Sequence, residues 1–437
     1  MMNVDWGHGR GAARTASAPA CVPPDPVFPQ LQTFQDEHLA RTQLCAAFGV
    51  QAEVESCEIF NVWYIPRKSF QVVYRLHGPQ RAGHMAMFGV RFVPTLSVSE
   101  PRRAQHHVAH MPEWGALVWQ FPDDPELTAL PRLVRSADGL QVLSYLPGAR
   151  CTIRGQVREF DQSVIGKLDR AGGADRTHQT LCRLWQAGAA RFRIPRPLAA
   201  DPEAGIRWEQ AVDGQRVDRF LGQQSTTALL QPVVAAAADL HATELVGLPD
   251  ASARDLVLRI QHKVLPRVAA ALPDQAGAAE AWFRVLARQA AQLPQRPPST
   301  LHGDLHTANV LVDEHGVIFV DLDSLAQGDA ALDLALLGSR VLLLALQRGQ
   351  QLADAAEAVA ELPDVYAAVG GVPIPHSTFA WYLSALLVGR QLRTAIRHRA
   401  PDLGALAPVL LSWAREILDR GHFTPAICDE LITHNHH

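Results

Sequence analysis

The sequence predicts an α+β protein in which a β-rich front half precedes a mainly helical back half. Three observations carry that expectation. Runs such as "EIFNVWYIPRKSFQVVYRLHG" and "HMAMFGVRFV" have strand-like composition and are broken by Pro and Gly. Runs such as "LLQPVVAAAADLHATEL" and "LAPVLLSWAREILDR" carry apolar residues at helical spacing. Within the helical half, one stretch (residues 299–325, "STLHGDLHTANVLVDEHGVIFVDLDSL") crowds ionisable residues around two short strand-like runs.

Composition narrows the function classes. The chain has 437 residues, 48% of them hydrophobic, which suits two or three units with real cores. A net charge of −4 without long blocks of like charge disfavours a nucleic-acid partner, which needs a clustered basic surface. Apolar runs stop short of the ~20 residues of a membrane span. Cys21, Cys45, Cys57, Cys151, Cys182 and Cys428 are scattered with no Cys-x-x-Cys pair. That usage supports neither a zinc site nor a disulfide framework and fits a reducing cytoplasm. The Ala-, Gly- and Pro-rich start is expected to be a mobile tail to residue 40, and "HNHH" a solvated end. Oligomeric state is not legible.

Residues 41–135 read as a β-rich unit of their own. Its grammar recurs in "LQVLSYLPGARCTIRGQV" and "SVIGKLDR". Tyr64-Ile65-Pro66 and Tyr145-Leu146-Pro147 each precede a β-rich arm, and "MFGV" and "VIGK" follow at comparable places. Either a β-hairpin-plus-strand unit is duplicated, or two unrelated hairpins share Pro turns. "ALVWQFPDDPELTALPRLV" reads as the connector. "DRTHQTLCRLWQAG" is a helix with a Gly stop, and "GIRWEQAVDGQ" a strand ending in an Asp-Gly turn.

The crowded stretch carries the chemistry. Asp304 lies in a short loop five residues before Asn309. "VLV", the turn "DEHG" and "VIFVD" read as a hairpin, whose antiparallel pairing returns Asp321 beside Asn309. An amide oxygen and a carboxylate are hard ligands suited to Mg²⁺, which takes its remaining ligands from water and phosphates. A nearby carboxylate free of the metal, Asp304, can accept a hydroxyl proton. Base, oxygen ligands and a polyphosphate together describe phosphoryl transfer.

"HGDLHTANVL" followed by "VDLDSLAQGDAALDLA" resembles the aminoglycoside phosphotransferase and choline kinase family, which has the protein-kinase-like fold. Its pattern is H-G-D-x-x-x-x-N, an Asp after an apolar strand, then G-D-x-x-x-D-L-A. The resemblance runs from about residue 140 onward. It implies a bilobal fold with an antiparallel β N-lobe (136–213) and a helical C-lobe (214–437), behind the extra β-rich region. It also implies ATP and Mg²⁺ as cofactors, Asp304 as catalytic base, and Asn309 and Asp321 as metal ligands. Asp323 would be a second carboxylate near the metal. His302 would support the loop, while His306 is either a brace or a phosphate or substrate contact. Asp329 and Asp333 would fix backbone, and His241 would be a buried hydrogen-bonding residue.

By the same resemblance, Pro147-Gly148-Ala149 would lie over the phosphates with Arg150 as a further contact, and Lys167 would hold the α- and β-phosphates. The glutamate that normally pairs with that lysine is missing from "DRTHQTLCRLWQAG". Asp175, another carboxylate or the phosphates alone would have to orient Lys167. The chain groups of Gln210 and Val212 would meet adenine. The acceptor is expected to be a small-molecule hydroxyl, a sugar or an aminoglycoside-like polyol. From Arg340 onward nine Asp and Glu stand against eight Arg, too even for a polycation pocket. "GRQLRTAIRHR" gathers Arg390, Arg393, Arg397 and Arg399, either a solvated face or a preference for anionic or neutral substrates. Trp381, Tyr382 and Trp413 would be available for a choline cage, or for packing. The front region resembles the N-terminal cap of maltokinase-like members, or is a partner-binding module. A kinase-like scaffold without turnover, and a nucleotidyl or phosphate hydrolase, are the other readings.

Overall fold

The β-branched and aromatic runs of the front half build two five-stranded sheets, and the helical runs of the back half wrap a third layer of structure around the loop that carries Asp304. The computed structural model describes residues 24–49, 54–78, 85–94, 108–170, 172–349 and 351–428. The first sheet contains β1 (Ser56–Ile65), β2 (Ser69–His77), β3 (Met85–Phe92), β4 (Val108–Met111) and β5 (Ala116–Gln120). Helix α1 (Glu37–Phe48) precedes it, started by the Asp36 carboxylate accepting from Leu39 N (2.9 Å) and ended by Gly49 at φ 66°. After α2 (Leu130–Arg135) come β6 (Ala137–Leu146), β7 (Arg150–Val157), β8 (Ser163–Asp169) and α3 (Ala174–Ala187). The short β9 (Phe192–Arg193) joins a different sheet, and β10 (Pro197–Asp201) with β11 (Ile206–Gln210) completes the second.

The two sheets have the same antiparallel order, β1-β2-β3-β5-β4 and β6-β7-β8-β11-β10. The duplication reaches into the side chains. Asp25 accepts from Val27 N (2.9 Å), Tyr64 OH (2.7 Å) and Arg67 N (2.7 Å). Asp124 accepts from Glu126 N (2.8 Å), Leu127 N (3.0 Å), Tyr145 OH (2.6 Å) and Gly148 N (2.7 Å). In both copies the amide belongs to the third residue after the tyrosine, at positive φ. Phe28, Leu31 and Phe34 follow Asp25 at the offsets at which Leu127, Leu130 and Leu133 follow Asp124, and all six are buried. Two unrelated hairpins would not share this bracket.

The copies stack. Trp119 Nε1 donates to Tyr145 OH (2.7 Å) and Asn61 Nδ2 to Tyr145 O (3.2 Å). Val73 and Met87 of the first sheet share a core with Leu127, Leu130 and Tyr145. Val72 pairs with Val90 as Ile153 pairs with Gly166, so Arg91 holds the place in the first sheet that Lys167 holds in the second. There the second unit covers the face, and Arg91 ion-pairs with Glu126. In the second sheet the corresponding face opens toward the helical half.

Residues 24–40, expected to belong to a mobile tail, are ordered instead, because Phe28, Leu31 and Phe34 pack on the apolar face of the first sheet. Residues 1–23, including Cys21, and the terminal "HNHH" lie outside the described residues. Cys45, Cys57, Cys151 and Cys182 are free thiols, and no helix among the described residues is long and apolar enough to cross a membrane.

The helical half comprises α4 (Thr226–Ala242), α5 (Ala253–Arg259), α6 (Leu265–Ala271), α7 (Ala276–Ala290), α8 (Ala331–Arg348), α9 (Leu352–Ala368), α10 (His376–Leu386), α11 (Arg393–His398) and α12 (Leu403–Arg420). Wider π turns, Ile260–Val264 and Leu387–Leu392, join α5 to α6 and α10 to α11. Set among them are β12 (Gln215–Arg216), β13 (Asp250–Ala251), β14 (Ser299–Leu301), β15 (Val310–Asp313), β16 (Gly316–Phe319) and β17 (Ala326–Gly328). The hairpin expected around "DEHG" is β15–β16, pairing Val310 with Phe319.

The buried Asp124 bracket yields a prediction. Asp124→Ala leaves two backbone amides, a glycine amide and a tyrosine hydroxyl without their acceptor. Each such loss costs about 1–3 kcal/mol, so a stability loss of about 3 kcal/mol or more is expected. Thermal denaturation followed by circular dichroism reads it, and an unchanged midpoint would refute the bracket's role.

Candidate active site

The loop after β14 is held from beneath by a fully buried carboxylate. Asp333, in the first turn of α8, accepts from His302 N (2.7 Å) and Gly303 N (3.0 Å). It also meets His241 Nε2 (3.1 Å), whose Nδ1 lies 2.9 Å from Tyr366 OH. His302 Nε2 donates to Val320 O (3.1 Å), tying the loop to the end of the hairpin. Gly303 sits at φ 74°, and a Cβ there would collide with the Ser324 carbonyl. Asp329 accepts from Ala331 N (2.9 Å), a cap on α8, and meets Arg296 Nε (3.3 Å). The loop is therefore braced where the sequence pattern placed its braces.

Asp304 is presented above this support. Arg390 grips both its oxygens, Nη2 lying 2.6 Å from Oδ1 and 2.9 Å from Oδ2. Burial pushes the Asp304 pKa up, but Arg390, His306 and His302 outweigh it and hold the carboxyl below its ordinary value. His306 Nδ1 accepts from Ala308 N (3.3 Å) while Nε2 stands 3.8 Å from Asp304 Oδ2. Burial, only partly opposed by Asp304, brings His306 down to about 4. At neutral pH it is an uncharged brace.

Asn309 Nδ2 donates to Asp304 O (3.0 Å), and Val320 N donates to Asn309 O (3.0 Å). These bonds bring the catalytic loop, Asn309 and the residue next to Val320, Asp321, into one neighbourhood. The Asn309 amide nitrogen is engaged, so its oxygen is the atom that could serve as a ligand. Asp321 adopts φ 61°, a conformation uncommon outside glycine, and its side chain is half exposed.

Lys167 joins the sheet to this neighbourhood. Its Nζ lies 3.1 Å from Asp321 Oδ1, 3.1 Å from Asp323 Oδ1 and 3.5 Å from Glu209 Oε1. Burial would lower the Lys167 pKa, yet Glu209, Asp323 and Asp321 together raise it, so the ammonium is firmly charged. Arg207 Nε donates to Glu209 Oε1 (3.0 Å), and its Nη2 pairs with Asp323. Glu209 thus takes the place of the absent helix glutamate. Asp175 does not, since it holds Gln179 Nε2 (2.7 Å) on its own helix. The signal was present: in "IRWEQ" Arg207 and Glu209 alternate with Trp208 and so share the Lys167 face.

Other expected site residues are placed differently. Gly148 is buried, its amide spent on Asp124 and its Cα side filled by Arg91, so it has no donor to offer a phosphate. Arg150 opens β7 with an exposed side chain. Gln210 donates its amide to Arg196 O (2.9 Å), leaving only its carbonyl for a base, whereas Val212 lies in the segment 211–214, which has no regular secondary structure and starts with Ala211 N donating to Ser163 O (2.9 Å). Asp323 stands between Lys167 and Arg207, with its pKa held well below the ordinary range. A metal on Asp323 would have to share its carboxylate with Lys167 and Arg207. Trp381, Tyr382 and Trp413 are core residues, at most 3% exposed, so they form no cage. Among the described residues no three His, Cys, Asp or Glu are grouped for a metal.

Residues 157–342 match the model of the phosphotransferase enzyme family, APH. No curated protein matches the chain. Among solved structures, a thermostable mutant of aminoglycoside phosphotransferase APH(4)-Ia is 14% identical, with 67% of this chain and 98% of that one covered and a TM-score of 0.47. Aminoglycoside phosphotransferase APH(3'')-Id from Streptomyces rimosus is 21% identical (58% and 94% covered, TM-score 0.41). A choline kinase from Streptococcus pneumoniae is 13% identical (66% and 95% covered, TM-score 0.44). The family match spans β8 to α8 and so takes in Lys167, Glu209, Asp304, Asn309, Asp321 and Asp333. Over this central segment, less than half of the chain, the sequence is similar to the phosphotransferase enzyme family that its loop pattern resembles.

Proposed function

We propose that this protein is an ATP- and Mg²⁺-dependent kinase that moves the γ-phosphoryl group of ATP onto a hydroxyl of a small molecule, a sugar or similar polyol. The observation that supports it best is the joining of Lys167, from the second sheet, to Asp321, beside Asn309 and the Asp304 loop. In this reading residues 136–213 are the nucleotide lobe, 214–437 the acceptor lobe, and the first sheet a cap. The donor set fits the implied groups: Asn309 Oδ1 and Asp321 are hard oxygen ligands, and Lys167 is an ammonium held beside them among three carboxylates. When bound, Mg²⁺ would neutralise phosphate charge.

This chain's own contribution is positioning. Glu209 and Asp323 orient Lys167 toward the phosphates, and the Val212 backbone is open to a base. Asp304, ionised because Arg390 outweighs its burial, accepts the proton of the acceptor hydroxyl as the oxygen attacks. His306 stays neutral and braces the loop, which takes it out of the proton-carrying role. Spectinomycin and hygromycin B are bound by proteins of similar structure, and a neutral or anionic polyol suits the even charge of the acceptor side better.

Three outcomes are expected. Asp304→Ala lowers turnover by about 10²–10⁴-fold while thermal stabilisation by ATP with Mg²⁺ persists; a fully active variant refutes the base. Glu209→Gln weakens ATP binding by about tenfold or 1.4 kcal/mol without touching acceptor affinity, as steady-state kinetics would read. The His306 ring titrates near 4 by NMR, so an inflection near the ordinary ~6.5 would show that the ring is not buried against the loop.

A further inference from the structure

Beside Asp304 the helical half gathers more positive charge than that one carboxylate neutralises. Arg390, Arg393 and Arg397 recur at spacings of three and four along the turn Leu387–Leu392 and α11, which puts them on one helical face. α11 packs against α6, which carries Arg267, and the π turns beneath approach so closely that Gly389 meets Ile260. Arg390 is bound to Asp304. Arg267, Arg393 and Arg397 are half-buried and, among the described residues, form no ion pair with a carboxylate, and Arg267 Nη1, Arg393 Nε and Arg397 Nε are buried with no hydrogen-bond partner among those residues. Burial, with Arg390, Arg267 and Arg259 near, brings Arg393 down to about 10. Arg397 falls to about 9 through burial and then Arg393, Arg267, Arg390 and Arg150.

A fold does not bury donors and like charges together without cost; each unmet donor is worth about 1–3 kcal/mol. A planar guanidinium offers paired donors that match a phosphate or carboxylate. The cap completes the wall: Trp63 lies 3.9 Å from the Arg397 guanidinium, and His398 Nδ1 donates to Val62 O (2.8 Å). Arg393 is one helical turn beyond Arg390, about 5 Å along the axis, and Arg390 touches the proposed base.

We propose that the acceptor of this kinase is itself an anion, a polyol bearing a phosphate or carboxylate a few bonds from the hydroxyl that receives the new phosphoryl group, with Arg393, Arg267 and Arg397 holding the anionic group. The proposal rests on the kinase reading and adds the charge of its substrate. The transfer balances as before: the acceptor oxygen forms a bond to the γ-phosphorus, the bond to ADP breaks, and the hydroxyl proton passes to Asp304.

Calorimetric titration of the full chain, with AMP-PNP and Mg²⁺ present, tests it with glucose, glucose 6-phosphate, gluconate and inorganic phosphate as probes. Binding of at least one anionic sugar at least tenfold tighter than glucose is expected, and the phosphate and carboxylate arms tell which anion is preferred. Arg393→Gln and Arg267→Gln should each weaken that binding by tenfold or more and raise its KM with little change in kcat or in the KM for ATP, while Arg393→Lys restores part of it. Equal binding of glucose and the anions, or anion binding untouched in folded Arg393→Gln and Arg267→Gln, overturns the proposal and leaves the kinase reading standing. If AMP-PNP with Mg²⁺ does not bind, the kinase reading fails, and the same titration without nucleotide still decides whether the arginines hold an anion.

Discussion

The active-site arrangement depends on one carboxylate that never meets solvent. Asp333 holds the amides of His302 and Gly303 and is itself held by His241. Removing it would leave two amides and an imidazole unsatisfied in the core, a penalty of several kcal/mol by the cost of unmet donors. With it in place, the chain after β14 has one course, and Gly303 supplies the backbone conformation that course demands. Asp304, Asn309 and, through Val320, Asp321 take their positions from that course.

A second constraint operates in the front half, and it operates twice. The bracket of Asp25 with Tyr64 and of Asp124 with Tyr145 pins the first turn of each sheet to the segment leading into it. The two sheets then diverge through what covers one face. In the first sheet Arg91 lies under the second unit and is tied to Glu126. In the second, Lys167 faces the helical half among Glu209, Asp321 and Asp323. The same topology is therefore a structural layer in one copy and part of the candidate active site in the other. The first sheet, stacked on the second, also reaches the helical half, where Trp63 and Val62 meet Arg397 and His398.

How much of this could be read beforehand follows from the range of each interaction. The catalytic loop was legible because Asp304, Asn309 and Asp321 are local, set by a short loop and one hairpin. The hint of duplication in Tyr64 and Tyr145 was also legible, whereas its extent was not, since Asp25 is 39 positions from its tyrosine and Asp124 only 21. Glu209 was missed because its partner Lys167 sits on another strand and the familiar partner belongs to a helix. Gly148 was misplaced because turn composition does not reveal that Asp124 takes its amide. The arginines were visible as a cluster, but only packing against α6 shows that Arg393 and Arg397 are half-buried with unmet donors rather than solvated.

The account turns on a metal-bound nucleotide held by Asn309, Asp321 and Lys167. Calorimetric titration of AMP-PNP with and without Mg²⁺, on the wild-type chain and on Asp321→Ala, addresses this most directly. Mg²⁺ should strengthen binding to the wild type by tenfold or more, about 1.4 kcal/mol, and that gain should vanish in Asp321→Ala. An equal gain in both proteins, or none in the wild type, would contradict the account.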